Sequence, residues 1–236
     1  MLKAIFLDID NTLLDFDGYV KEALASGFEK FGLGAYEASV YETFSRINDS
    51  LWERIETGDL TFEGLKAIRF DLIFEALGIS FDGPTFETYF REQLNVSAIP
   101  IEGAYDLLKA LSQKYILCAA SNGPYDQQCH RLELAGMSAY FSYVFISEEI
   151  GAGKPDRAFY ERAFARLNRG REIPILPEEC LAVGDSVTSD VAGGHAFGMK
   201  TCYYAHHKGN VTDDRIDLYA ERLSDIPKRI ELWEMA

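Results

Sequence analysis

The sequence predicts an α/β protein: a Rossmann-like, mainly parallel sheet interrupted once by an all-helical insertion. Three observations predict it. A strand-like run, Leu2 to Leu7, opens the chain; residues 19 to 95 repeat their apolar positions at helical spacing; and from Ile99 onward β-rich segments alternate with helical ones. Strands alternating with helices form βαβ units, because parallel neighbours can be joined only by a crossover.

The first strand, Lys3 to Asp8, finds no strand partner in the helical block, so it joins the later sheet. The block is then an insertion placed just after that strand. Its segments VKEALASGFEKFG, YEASVYETFSRINDSLWERIE, LTFEGLKAIRFDLIFEALG and PTFETYFREQL carry the helical period. Gly32 with Gly34, Gly58, and Gly78 with Gly83 and Pro84 fall where helices should stop. Four helices in an antiparallel bundle is the simplest reading. With Asp15 to Gly18 and Asn95 to Pro100 as linkers, the chain divides into a core of residues 1–15 and 99–236 and a helical domain of residues 16–98.

Within the core, YILCAA, YVFIS, ECLAVGD and KTCYYA read as strands, and YDQQCHRLELAGM, DRAFYERAFARLN and SDVAGGHAFG as the helices between them. Residues 169–179, RGREIPILPEE, are a loop with two prolines. The tail after His206 reads as a polar loop and one short strand or helix.

With 236 residues, 47% hydrophobic and 26% charged, the chain has enough apolar material for a substantial core. Its net charge of -15 sets up a field that repels nucleic acid polymers and anionic membranes. A small anionic substrate is compatible with that charge where a metal ion, a lysine or helix N-termini supply positive potential locally. Cys118, Cys129, Cys180 and Cys202 form no CxxC pair and no zinc spacing, and read as small core residues in a reducing compartment. No apolar run approaches a membrane span, and the N-terminus runs into acids instead of a signal-peptide core. The expectation is a cytoplasmic protein.

In a parallel sheet, ligands bind beyond the carboxyl ends of the strands. Polar residues stand at four such ends: Asp8 and Asp10, Ser121 and Asn122, Lys154, and Asp185. Each type has a task in phosphoryl transfer. One carboxylate acts as nucleophile, and a second, two residues on, gives and takes the proton. A magnesium ion held by oxygen ligands, Asp8, Asp185 and a backbone carbonyl, screens the repulsion between carboxylate and phosphate. Lys154 neutralises the transferring group, and Ser121 with neighbouring N–H groups holds its oxygens. Taken singly, each has an ordinary explanation: a solvated loop for the acids, a turn at Asn122-Gly123-Pro124, a surface lysine at Lys154, helix capping by Asp185, and an exposed first-turn acid at Asp190. Their order, each at a strand end and each suited to one reaction, argues against four separate accidents.

This ordered set resembles the haloacid dehalogenase superfamily, through DIDNT (Asp8, Asp10, Thr12), SNG (Ser121), GAGKPD (Lys154) and GDSVTSD (Asp185, Asp190). The resemblance implies an α/β core with a helical cap inserted after the first strand. It implies Asp8 as the nucleophile that forms an aspartyl-phosphate and Asp10 as general acid/base. Thr12 would support the loop and, with Ser121 and Asn122, serve substrate binding, and Lys154 would bridge Asp8 and the phosphate. Magnesium would lie against Asp8, the Asp10 carbonyl and Asp185, with Asp190 nearby. Dehalogenases of this superfamily lack the second acid of DxD, so Asp10 argues for phosphate chemistry.

NDSLWERIETGDLTFEGLKAIRF, RLELAGMSAYFSYVFISEEIGAGKPD and YYAHHKG resemble, more narrowly, the pyrimidine 5'-nucleotidase subgroup. A nucleoside monophosphate is the implied partner; a sugar-phosphate phosphatase, a phosphomutase and a non-catalytic binding protein on the same core are the alternatives. Asn48, Trp52 and Arg69 are the cap residues that would face such a substrate, against the ordinary reading of Trp52 as core and Arg69 as a surface or ion-pair residue. His206 and His207 read as loop residues and not metal ligands. Most of the aromatic side chains must fill the core. The insertion's place between Asp10 and Ser121 suits closure over the strand ends. The sequence assigns no oligomeric state.

Overall fold

The structure, a computed structural model, describes residues 1–206, 209 and 211–235. Two compact units make up the chain: Met1–Asp15 with Ile99–Ala236, and Phe16–Ala98.

The discontinuous unit is the α/β core. Its elements in chain order begin with β1 (Ala4–Leu7) and resume, after the four helices of the other unit, α1 (Phe16–Phe31), α2 (Ala38–Glu56), α3 (Phe62–Leu77) and α4 (Gly83–Asn95). Then come α5 (Ala104–Ser112), β2 (Ile116–Ser121), α6 (Tyr125–Leu134), β3 (Tyr143–Ile146), α7 (Ser147–Ile150) and α8 (Arg157–Leu167). The chain continues with β4 (Cys180–Gly184), α9 (Ala192–Phe197), β5 (Lys200–Tyr204), β6 (Leu218–Ala220) and α10 (Ile226–Glu234). The six strands form one sheet in the order β3-β2-β1-β4-β5-β6, every neighbour parallel. The α/β class and parallel sheet expected from the sequence are what the chain forms.

β1 is central and buried on both faces, which is why AIFL is an unbroken apolar run. Ala4 and Phe6 share one face with Cys118, Ala120, Cys180 and Ala182, packed beneath Phe159, Tyr160 and Phe164 of α8. Period-two alternation sends Ile5 and Leu7 to the other face. Successive strands step outward from β1 to β3, and β4 then returns to β1's free side. That reversal is the topological switch point, and it lies between β1 and β4.

Two elements go beyond the sequence reading. α5 falls in a stretch that the pattern left unassigned, and the tail holds both a strand and a helix instead of one of them. The first strand is Ala4–Leu7, so Asp8 lies just past it. All four cysteines are unpaired; burial pushes the Cys180 and Cys202 thiols up to about 12, which leaves them unreactive. Among the described residues no helix is long and apolar enough to cross a membrane.

In the helical unit, Thr61 caps α3 by accepting from Gly64 N–H at 3.0 Å, and Gly78 ends it with a φ of 67°, a backbone that a Cβ would strain. Asp82 caps α4, accepting from Thr85 N–H at 2.8 Å. The interior is aromatic: Phe70 packs against Phe44, Phe74, Phe86 and Phe90. Arg69 is buried among these rings. It donates to both Glu87 oxygens, at 3.0 and 2.6 Å, and to Asn48 Oδ1 at 3.0 Å, and its guanidinium lies 4.8 Å from the Phe90 ring centre. Three of the five N–H donors of Arg69 are thus engaged inside the bundle, in keeping with the ion-pair reading. Trp52 is half-buried against Phe62.

Candidate active site

The site grows out of the switch point. Register pairs Leu7 with both Ala119 and Val183, so Asp8 emerges level with Ala120 and Gly184, and Asp185 one residue further on β4's side. Asp8 N–H still donates to Val183 O at 2.9 Å, which anchors the residue at the strand end. The chain then turns sharply: Leu13 and Leu14 N–H both bond Ile9 O, at 2.8 and 2.9 Å, and Asn11 adopts a φ of 57°, a left-handed conformation that asparagine tolerates. This loop carries Asp10 and Thr12.

Lys154, on the loop between α7 and α8, enters the same space. Its Nζ donates to Asp8 Oδ1 at 2.7 Å, to Ala120 O at 2.7 Å and to Asp190 Oδ1 at 2.6 Å. Asp190 comes back toward Asp8 because the chain after Ser186 makes a single π-helical turn, Val187–Val191. Asp190 Oδ2 also accepts from Ser186 N–H at 3.2 Å. The approach depends on Gly184, where a Cβ would lie 2.0 Å from Asp190 Oδ2.

Asp8, Asp185 and Asp190 are all buried, each offering a carboxylate oxygen within 4.8 Å of the others. Burial raises the Asp8 pKa well above the carboxylate range; Lys154 opposes this, and the like charges of Asp190 and Asp185 add to it. One lysine does not neutralise three buried carboxylates. A hard divalent cation fits that deficit and that all-oxygen donor set, and the residues present therefore suit magnesium.

Asp10 points to a different set of partners. Arg131 Nη1 donates to its Oδ1 at 2.6 Å and Gln128 Nε2 to its Oδ2 at 2.7 Å. Gln128 Nε2 also donates to Ser121 Oγ at 2.9 Å, and Arg131 Nη1 to Gln128 Oε1 at 2.9 Å. The sequence reading missed both residues. Their signal is faint: two polar residues three apart on α6, a spacing that places them on one helix face.

Two of the expected site residues have surroundings of their own. Asn122 spends its side-chain amide on Lys154, with Nδ2 donating to Lys154 O and Oδ1 accepting from Lys154 N–H, both at 2.8 Å. It fixes the lysine's backbone, and one amide hydrogen and one carbonyl lone pair are committed to that contact. Thr12 is wholly buried with no hydrogen-bond partner for its hydroxyl among the described residues, which suits support of the loop. His206 Nδ1 lies 3.3 Å from Tyr204 Oη, and His207 lies outside the described residues.

Comparison with known proteins identifies the family. The family described as haloacid dehalogenase-like hydrolase matches residues 2–198. The pyrimidine 5'-nucleotidase PynA of Streptococcus pneumoniae is 34% identical over 213 residues, covering 89% of this chain and 87% of that protein. The pyrimidine 5'-nucleotidase YjjG of Escherichia coli is 29% identical, covering 86% and 87%. The crystal structure of the HAD-hydrolase YfnB from Bacillus subtilis, bound to magnesium, superposes with a TM-score of 0.83 at 27% identity over 99% of this chain and 98% of that one. A family match over residues 2–198 and a relative 34% identical over 89% of this chain leave one assignment: the chain belongs to the haloacid dehalogenase-like hydrolases, and it is an enzyme.

Proposed function

We propose that the enzyme is a magnesium-dependent phosphomonoesterase that works through an aspartyl-phosphate on Asp8, with pyrimidine nucleoside 5'-monophosphates as its substrate class. The observation that carries the chemistry is the buried Lys154–Asp8 contact at 2.7 Å, with Asp185 and Asp190 beside it and Asp10 two residues away. Identity to PynA supports the substrate class.

In the first step an Asp8 oxygen bonds to phosphorus as the ester P–O bond breaks. Asp10 passes its proton to the departing oxygen. In the second, water attacks the same phosphorus, gives its proton to Asp10, and the bond to Asp8 breaks. Lys154 and the Ser121 hydroxyl hold the charge of the transferring group throughout. Asp8, Asp185 and the Asp10 carbonyl would hold magnesium, which would supply the charge that lets a carboxylate approach a phosphate dianion. Asp190, with both oxygens accepting hydrogen bonds, holds Lys154 in place. Unpaired cysteines suit a cytoplasmic setting. The residues 1–15 and 99–236 carry this chemistry.

A phosphate-release screen across nucleoside 5'-monophosphates and sugar phosphates tests reaction and substrate together, with Asp8→Asn as the control. UMP, dUMP or dTMP are expected to lead the screen, with the control folded and inactive. Preference for sugar phosphates would move the substrate class; full activity of Asp8→Asn would overturn the mechanism.

A further inference from the structure

Arg131 is about the least expected residue of the core. It is 1% exposed, on a helix whose inward positions could be filled by aliphatic side chains at no electrostatic cost. A buried guanidinium is tolerated only when paired, and its pair here is Asp10, a carboxylate that keeps 29% of its side chain accessible. Gln128, one turn earlier on α6, is 3% exposed and completes the arrangement.

The donor inventory is specific. Gln128 has two amide hydrogens: one goes to Asp10 Oδ2 at 2.7 Å and the other to Ser121 Oγ at 2.9 Å. Its carbonyl accepts from Arg131 at 2.9 Å, which sets the amide's orientation. Both oxygens of Asp10 are therefore held, one by each residue. Ser121 Oγ, already accepting, keeps its own proton to donate. That proton meets the Asn122 carbonyl only at 3.4 Å, a long bond that a phosphoryl oxygen would outcompete.

We propose that Gln128 and Arg131 are positioning residues for the reaction, holding the Asp10 carboxylate and the Ser121 hydroxyl in fixed relation. This rests on the phosphomonoesterase reading given above. As Asp8 bonds to phosphorus and the ester bond breaks, the Asp10 proton must reach the leaving oxygen while Ser121 grips a phosphoryl oxygen. Both groups answer to one amide. Orientation set before substrate arrives removes an entropic cost from the transition state.

The test is the dependence of kcat/KM on the leaving group, since kcat/KM reports the steps through ester cleavage. A nucleoside 5'-monophosphate releases an alkoxide that needs a proton, whereas p-nitrophenyl phosphate releases a phenolate that does not. Gln128→Met and Arg131→Lys are compared with wild type and with Asp10→Asn. Arg131→Lys, which touches Asp10 and not Ser121, is expected to lose about tenfold or more on the nucleotide, a share of the 10²–10⁴ that acid–base catalysis contributes, and less than about threefold on the aryl ester; Gln128→Met, which also frees Ser121, is expected to lose on both esters and about tenfold more on the nucleotide than on the aryl ester. Equal losses on both esters, no loss on either, or a gain on the nucleotide would each overturn the proposal. Wild type that hydrolyses neither ester would overturn the phosphomonoesterase reading instead. Circular dichroism checks folding; should Arg131→Lys fail to fold, Gln128→Met, which keeps length and loses only the amide, decides the matter.

Discussion

Lys154 and Asp8 stand 146 positions apart in the chain, and the lysine Nζ meets Asp8 Oδ1 across 2.7 Å with both side chains buried. An ammonium has three hydrogens, and Ala120 O and Asp190 Oδ1 take the other two. Burial alone would pull the lysine toward neutrality; Asp190 and Asp8 outweigh it and hold the pKa above the usual lysine value.

Loss of that cation should cost turnover and folding together, because it strands Asp8 and Asp190 as buried charges. Lys154→Met is expected to lower kcat by about 10²–10³, the scale of one lost charge-stabilising donor. Lys154→Arg should recover little, because a planar fork does not address three acceptors grouped around one point. Phosphate release at saturating nucleotide measures both, and a Lys154→Met enzyme within tenfold of wild type would contradict the assignment.

Magnesium should stabilise the folded protein as well as activate it. Saturation at a hundred times the dissociation constant is worth about 2.7 kcal/mol, visible as a raised Tm. Chelation should abolish turnover, and Asp185→Asn should remove the Tm shift. A wild-type Tm that ignores magnesium would refute the metal site, whatever the activity assays show.

The helical unit makes a separate prediction. Arg69 and Glu87 are both buried and joined by two hydrogen bonds, so Arg69→Met or Glu87→Met alone strands a charge, at a cost of about 3–5 kcal/mol. The double variant should lose less than either single one. Urea unfolding reads the difference; single variants within about 1 kcal/mol of wild type would show that the pair is not under that constraint.

Asp213 gives a pH dependence whose sign is fixed. Hydrogen bonds from the Arg215 side chain and N–H lower its pKa from the ordinary 3.8 to about 2. A depressed folded-state pKa contributes stability that is present above about pH 4 and is lost as pH falls through about 2. Carbon-detected NMR titration should place Asp213 there in wild type and return it toward 3.8 in Arg215→Ala. An unchanged titration would show that Arg215 is not the cause.

Much of the site was legible along the chain. DIDNT, SNG, GAGKPD and GDSVTSD each place a chemically distinctive residue beside a strand or loop end, and strand ends are what periodicity locates best. Gln128 and Arg131 were not legible, because a polar pair on one helix face reads as solvated surface until the fold turns that face inward. The contact of Asn122 with the Lys154 backbone, 32 residues on, was not legible either. Arg69 looked like a surface or ion-pair residue, and only packing of α3 against α4 shows that its partner, Glu87, is buried with it.

By itself the sequence determined the α/β class, the interruption by helices, and the kinds of side chain at the strand ends, since all of these follow from local periodicity and residue chemistry. Tertiary structure decided which of those side chains meet. The strand order brings β4 back beside β1 and so joins Asp185 and Asp190 to Asp8, and it leaves Lys154 with three acceptors and Asp10 with two donors. Contacts between residues more than a hundred positions apart leave no spacing to read, because loop lengths, not residue patterns, separate their partners.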